Sequence, residues 1–149
     1  MAASTPQSAR TPWHLWVVGA LTLLWNAVGA LDFTMTETRN AAYLKPFTPE
    51  QLAYFNSFPF WVILAWGIAT WGSLLGSLLL LLHRGWACAA FWASFVCMLL
   101  TMLYNYVLTD GLKVMGRGAA PLVFSGLIML IGLLLLLYSH AMRKRGVLR

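Results

Sequence analysis

Four long stretches of apolar residues, each free of Asp, Glu, Lys and Arg, dominate this chain. They cover residues 13–31, 60–82, 86–108 and 119–138. Each is close to the ~20 residues with which an α-helix crosses ~30 Å of hydrocarbon. Hydrophobic residues make up 60% of the chain and charged residues only 9%. Because the stretches also lack the alternation of a transmembrane barrel, the sequence predicts an all-α polytopic membrane protein, a four-helix transmembrane bundle.

The charges of the connecting segments predict the orientation of this bundle. The side that carries both termini and the turn at residues 83–85 holds basic residues and no acidic ones: Arg10, Arg84, Arg143, Lys144, Arg145 and Arg149. On the other side, the basic residues Arg39, Lys45, Lys113 and Arg117 are balanced by Asp32, Glu37, Glu50 and Asp110. The positive-inside rule therefore predicts that both termini lie in the cytoplasm.

This topology also defines the domain organisation. Residues 1–12 are predicted to form a flexible cytoplasmic tail, residues 13–142 one membrane domain, and residues 143–149 a basic cytoplasmic tail. The net charge of +6 then faces anionic lipid, so the predicted partner is the bilayer and not nucleic acid. The small residues at 28–30 would also suit a signal peptidase, and cleavage there would leave three crossings. The first apolar stretch exceeds the ~7–15 residues of a signal peptide core, which favours an uncleaved helix.

The longest loop, residues 32–59, is predicted to lie on the side opposite to the termini and to be partly structured. Thr48, Pro49 and Gln51 have the spacing of an N-cap, a first-turn proline and a capping-box residue. They predict a short helix that ends before Pro59. Its apolar residues favour a helix that rests on the membrane interface, and a lid over a substrate site is the alternative.

Small residues recur on one face of each apolar stretch. Gly72 and Gly76 form a GxxxG pattern, which lets helix backbones approach closely and is predicted to serve helix packing. The same pattern is also compatible with a homo-oligomer or with packing into a larger membrane complex.

Asn26 and Asn105 are the most informative polar residues inside the stretches. Each lies a few residues before an acidic residue, so both are predicted at similar depth, where they could bond to each other across the first and third helices. The functional alternative is a polar pocket for a sugar or a cation, open to the outside. Its residues would be Asn26, Asp32, Asn105 and Asp110, with Trp25 as the floor and Tyr104 and Tyr106 at the rim.

Signals for catalysis or cofactor binding are scarce. The chain contains no HExxH, GxSxG or Walker motif, and Cys88 and Cys97 lack the spacing of a CxxC pair. Three histidines fall at helix ends and are interpreted as interfacial residues, with a metal site as the alternative. Asp32 is predicted too near the membrane edge to serve as the central carboxylate of a proton-coupled multidrug exporter. No catalytic residue, cofactor or metal is therefore predicted.

Several short segments carry a resemblance to a known group of proteins. They are Leu24 to Asp32, Met35-Thr36, Tyr43-Leu44, Phe47 to Gln51 and Tyr104-Asn105. In these segments the chain resembles a family of small proteobacterial inner-membrane proteins whose members are often called sugar transporters by automated naming. The resemblance covers residues 13–145. It implies a bacterial inner-membrane location with the loop at residues 32–59 in the periplasm, and the name implies transport of a polar solute. The chain lacks the three-helix repeats of seven-helix sugar transporters. Because one four-helix bundle is thin for enclosing a hydrophilic path, transport would require an oligomer.

Two functions are therefore predicted. The leading one is a non-enzymatic accessory protein of the membrane, or a protein of envelope homeostasis. The alternative is a small oligomeric transporter of a polar solute that uses the pocket around Asn26 and Asp32.

Overall fold

The computed structural model describes residues 10–116 and 118–149. Arg117 and most of the predicted N-terminal tail, residues 1–9, lie outside the described residues. The described elements are all helices. They are α1 (Trp13–Glu37), α2 (Ala41–Leu44), α3 (Pro49–Asn56), α4 (Phe60–Leu81), α5 (Trp86–Leu103, continued by a π-helical turn over Tyr104–Leu108), α6 (Gly111–Met115) and α7 (Ala120–Lys144).

Four of these helices are long and apolar enough to cross a membrane, namely α1, α4, α5 with its π-helical turn, and α7. The predicted fold class is confirmed, and the chain is a multi-pass membrane protein. The predicted ends of the first and fourth spanning helices, at residues 31 and 138, were wrong, because α1 continues to Glu37 and α7 to Lys144. The last turns of α1 contain polar residues and remain helical. There the hydroxyl of Thr34 donates to the carbonyl of Ala30 at 2.7 Å, so this polar group is satisfied within the helix.

The spanning helices pack largely in chain order, with α4 between α1 and α5, and α5 between α4 and α7. Gly72 and Gly76 lie on the face of α4 that meets α5. A Cβ atom at position 72 would lie 2.5 Å from Ser94 Oγ, and one at position 76 would lie 2.9 Å from the ring of Phe91. The GxxxG pattern therefore serves the close approach of α4 and α5 inside one chain.

The hydrophobic core lies at the end of the bundle that carries the termini. It contains Leu15, Leu80, Ala87, Cys88, Phe91, Leu135, Leu136, Met142, Val147 and Leu148. Here the chain folds back after α7, and the Arg149 N–H donates to the His83 carbonyl at 2.9 Å. The predicted separate tail at residues 143–149 was therefore wrong, because its first residues belong to α7 and Val147 and Leu148 are buried.

The opposite end of the bundle is covered by the short helices α2, α3 and α6. As predicted, α3 begins with Thr48 as N-cap, Pro49 in the first turn and Gln51 completing a capping box. Tyr54 of α3 places its hydroxyl 2.9 Å from Oδ1 of Asn105. The loop helices are thus tied to the end of α5.

Candidate functional site

A cavity of about 610 Å³ lies among the four spanning helices. Its volume is within the ~300–1,000 Å³ of ordinary small-molecule sites. All four spanning helices contribute to the wall, and α2, α3 and α6 contribute residues at the loop end. The wall includes Trp25, Asn26, Val28, Gly29, Asp32, Tyr43, Phe55, Phe58, Trp66, Thr70, Ser73, Phe91, Ser94, Thr101, Asn105, Tyr106, Phe124, Ser125 and Leu135.

The cavity is closed at one end. Phe91 and Leu135 belong to both its wall and the hydrophobic core. Beyond them, on the side of the termini, His14 Nδ1 and the Tyr138 hydroxyl lie 2.6 Å apart and join α1 to α7. The packed core therefore separates the cavity from the end that carries the termini.

The cavity also reaches the outer surface of the bundle between α1 and α7. Val28 and Phe124 line it, although they are 67% and 58% exposed. Trp25 and Phe124 approach across this gap, with ring centroids 6.4 Å apart. Because these flanks belong to membrane-spanning helices, the opening faces the apolar region in which the helices lie.

Asn26 is buried on the inner face of α1 and binds α4. Its amide nitrogen donates to the Ser73 carbonyl at 3.2 Å and to Ser77 Oγ at 2.8 Å. Both donors are thus used, as a buried amide requires. Among the described residues, no side chain or backbone group donates to its Oδ1, which leaves one acceptor on the cavity wall.

Asn105 lies at the loop end of the cavity, in the π-helical turn. Its Oδ1 faces the Tyr54 hydroxyl at 2.9 Å, and its nitrogen donates to the Thr101 carbonyl at 2.8 Å.

Asn26 lies much deeper in the bundle than Asn105. Its partner Ser77 lies about 25 Å along α4 from the loop end. The predictions that Asn26 and Asn105 share a depth and bond to each other were therefore wrong. The extension of α1 beyond Asp32 explains the error.

Asp32 lies inside α1, which continues to Glu37, and its side chain lines the cavity. Its Oδ1 accepts a 2.5 Å hydrogen bond from the Tyr43 hydroxyl. That bond, together with burial and the negative charge of Asp32, raises the pKa of Tyr43 to about 12. Tyr43 therefore remains a neutral donor at physiological pH.

Asp110 and Tyr104 do not join the cavity wall. Asp110 forms an exposed ion pair with Lys113 at 2.6 Å. Tyr104 packs edge to face against Phe58 and Trp61, with centroid distances of 5.5 and 5.6 Å. Of the residues predicted for a polar pocket, the structure thus brings Trp25, Asn26, Asp32, Asn105 and Tyr106 to one cavity. Trp25 lies at its lateral opening rather than on its floor.

Most hydroxyl donors of the cavity wall are used within the protein. Thr70, Ser73, Ser94 and Thr101 each donate to a backbone carbonyl three or four residues earlier in their own helix. The hydroxyls of Tyr106 and Ser125 bond to each other and connect α5 to α7.

Sequence reasoning missed several wall residues, among them Tyr43, Phe55, Phe58, Trp66 and Ser73. Tyr43 and Phe55 come from the loop, and their sequence carries no signal that they fold over the cavity. Ser73 and Ser77 did carry a signal, since two hydroxyls four residues apart mark one face of a helix.

Within the described ranges, no group of three or more His, Cys, Asp or Glu side chains is placed to hold a metal ion. His14 contacts Tyr138, and the ring of His83 packs edge to face on Trp16 at 5.2 Å.

The fold and this cavity define a multi-pass membrane protein with an internal space of ligand size. The chain matches no protein-family model, no curated protein and no solved structure.

Proposed function

We propose that this protein binds a small amphipathic molecule in the cavity within its bundle. The cavity itself is the observation that supports the proposal, because a bundle held together only for structural reasons would fill such a volume with side chains. Its wall joins apolar and aromatic surface with a few polar atoms, which is the usual composition of a small-molecule site.

Binding is the first step of the transport alternative. The packed core beyond Phe91 and Leu135 leaves no continuous path to the end of the termini. Movement of a solute across the membrane would therefore need a second conformation that opens this core. A non-enzymatic accessory role would need only the conformation described here, with the bound molecule acting as a structural or signalling ligand.

We further propose that the protein resides in a bacterial inner membrane with its termini in the cytoplasm. The surplus of Arg and Lys on the side of the termini supports the orientation. In this orientation α2, α3 and the loop end of the cavity, where Asp32 lies, belong to the periplasmic half. Membership of the inner-membrane family that the sequence resembles is part of the same proposal.

The test uses the purified protein in lipid nanodiscs and four radiolabelled ligands with a common phenylbutyl tail. Their head groups are trimethylammonium, its uncharged tert-butyl isostere, a carboxylate and a hexose. We expect saturable binding of at least one ligand. If none of the four binds saturably to the folded protein, the proposed function is wrong.

Two matched variants locate the binding. Gly29→Phe places a ring on the cavity wall, where a Cβ atom has no neighbour closer than 3.9 Å. Gly126→Phe makes the same change on exposed surface of α7, where nothing lies within 4 Å. Binding should be lost in the first variant and kept in the second. Equal binding by both would place the ligand elsewhere.

A further inference from the structure

We infer that the ligand of this cavity is an amphipathic organic cation, an inference that rests on the proposed function. Asp32 provides the charge. One of its carboxylate oxygens accepts the hydrogen bond from Tyr43, and the other has no hydrogen-bond partner among the described residues. Nor does any described Lys, Arg or His lie within ion-pair distance of Asp32, the described ion pair being the one at Asp110.

Aromatic rings line the loop end of the cavity, where this carboxylate lies. Tyr43, Phe55, Phe58 and Trp66 line the same cavity as Asp32. Phe58 packs on Phe55 and on Trp66, with centroid distances of 6.0 and 6.3 Å. Ring faces attract cations, above all when water is excluded. A carboxylate beside such rings is the complement of a substituted ammonium group with an apolar body.

The hydrogen-bonding atoms of the wall favour the same class of ligand. Asn26, Tyr43 and the hydroxyls of Thr70, Ser73, Ser94 and Thr101 use their donors within the protein. The donors that remain on the wall are one hydroxyl hydrogen of the Tyr106–Ser125 pair and the indole N–H groups of Trp25 and Trp66. The atoms left free on Asn26 and Asp32 are acceptors. A hexose presents several hydroxyls that need both donors and acceptors once they leave water. A cationic amphiphile needs only acceptors and apolar surface, and the acceptors on Asn26 and Asp32 together with the rings of the wall supply both.

A bound cation would also be attracted by the charge of Asp32, because no described Lys, Arg or His pairs with that carboxylate. The apolar flanks at Val28 and Phe124 would receive the tail of the ligand while the head group meets Asp32. The cavity thus offers separate places for the two parts of one molecule.

The test compares the phenylbutyl trimethylammonium ligand with its uncharged tert-butyl isostere. These two molecules differ in charge and share nearly the same shape. We expect the cation to bind about tenfold more tightly, the combined effect of an ion pair and ring contacts. In Asp32→Asn this preference should disappear, while the affinity for the uncharged isostere stays the same and shows that the cavity is intact.

Asp110→Asn is the matched control, because it removes a carboxylate that lies outside the cavity. The preference for the cation should be unchanged in this variant. Equal or tighter binding of the isostere or the hexose by the parent protein would overturn the inference and leave the proposed function standing. The inference is equally overturned if Asp32→Asn keeps the tenfold preference.

Discussion

The Tyr43 hydroxyl donates a 2.5 Å hydrogen bond to Oδ1 of Asp32 and so joins α2 to α1 at the loop end of the cavity. The two residues come from different elements, a loop helix and a membrane-spanning helix. Their bond is one of the contacts that hold the loop over the cavity, with that of Tyr54 to Asn105, and it occupies one carboxylate oxygen. Because of this bond, the pKa of Tyr43 depends on the charge of Asp32.

The first prediction concerns this ionisation. The Asp32 carboxylate raises the pKa of Tyr43 to about 12, against an ordinary value of 10.0. The folded state therefore favours the protonated phenol. This contribution to stability is fully present below pH ~10 and is lost as the pH rises through ~12. Ultraviolet titration of phenolate, taken as the difference between the parent and Tyr43→Phe, should show the late midpoint.

Asp32→Asn should bring this midpoint back toward the ordinary value of 10.0, because the amide carries no charge. Asp110→Asn serves as the control and should leave the late midpoint in place. If the midpoint of the Tyr43 titration is the same in the parent, Asp32→Asn and Asp110→Asn, the hydrogen bond between Tyr43 and Asp32 is contradicted.

The second prediction concerns the polar contact between α1 and α4. Asn26 donates to Ser77 Oγ at 2.8 Å, and Ser77 is fully buried. A double-mutant cycle of Asn26→Ala and Ser77→Ala, measured by unfolding in detergent, should give a coupling energy of about 0.6 kcal/mol. The pair Asn26→Ala with Thr101→Ala is the control, and its coupling should be close to zero. Additive effects in both cycles would show that the Asn26 bond is absent in solution.

The third prediction uses two glycines with opposite surroundings. A Cβ atom at Gly111 would lie 2.5 Å from the backbone oxygen of Asn105 and 2.6 Å from the Tyr54 hydroxyl. Gly111→Ala should therefore lower the free energy of unfolding by about 1–3 kcal/mol. Gly126 has nothing within 4 Å, so Gly126→Ala should raise it by up to about 1 kcal/mol through helix propensity. Thermal unfolding measures both, and effects of the same sign would count against the packing of α6 on the π-helical turn.

The fourth prediction tests the proposed orientation. Glu50 and Lys144 are exposed at opposite ends of the bundle. Each is replaced by Cys in a protein from which Cys88 and Cys97 have been removed by substitution with Ala. A membrane-impermeant maleimide added to intact spheroplasts should label the cysteine at position 50 and spare the one at position 144. Labelling in the reverse order would place the termini in the periplasm.

The sequence predicts the four spanning helices because their apolar residues are contiguous, and it predicts α3 because Thr48 and Gln51 form a local capping box. It could not predict the end of α1, because hydropathy falls at Asp32 while the backbone hydrogen bonds continue to Glu37. The partners of Asn26 depend on the rotation of α1 against α4, which no local pattern specifies. Tyr43 was missed for the same reason, since its contact with Asp32 depends on how the loop folds back.

The opening between Val28 and Phe124 changes which concentration governs the site. A ligand that arrives through the bilayer is already concentrated there by partitioning, by a factor that grows with its apolar area at ~25 cal/mol per Å². Occupancy is then set by the mole fraction of ligand in lipid, which at equilibrium is its concentration in water multiplied by the partition coefficient. A site of modest intrinsic affinity would fill at low aqueous levels, and the ranking of its ligands would reflect lipophilicity as well as fit.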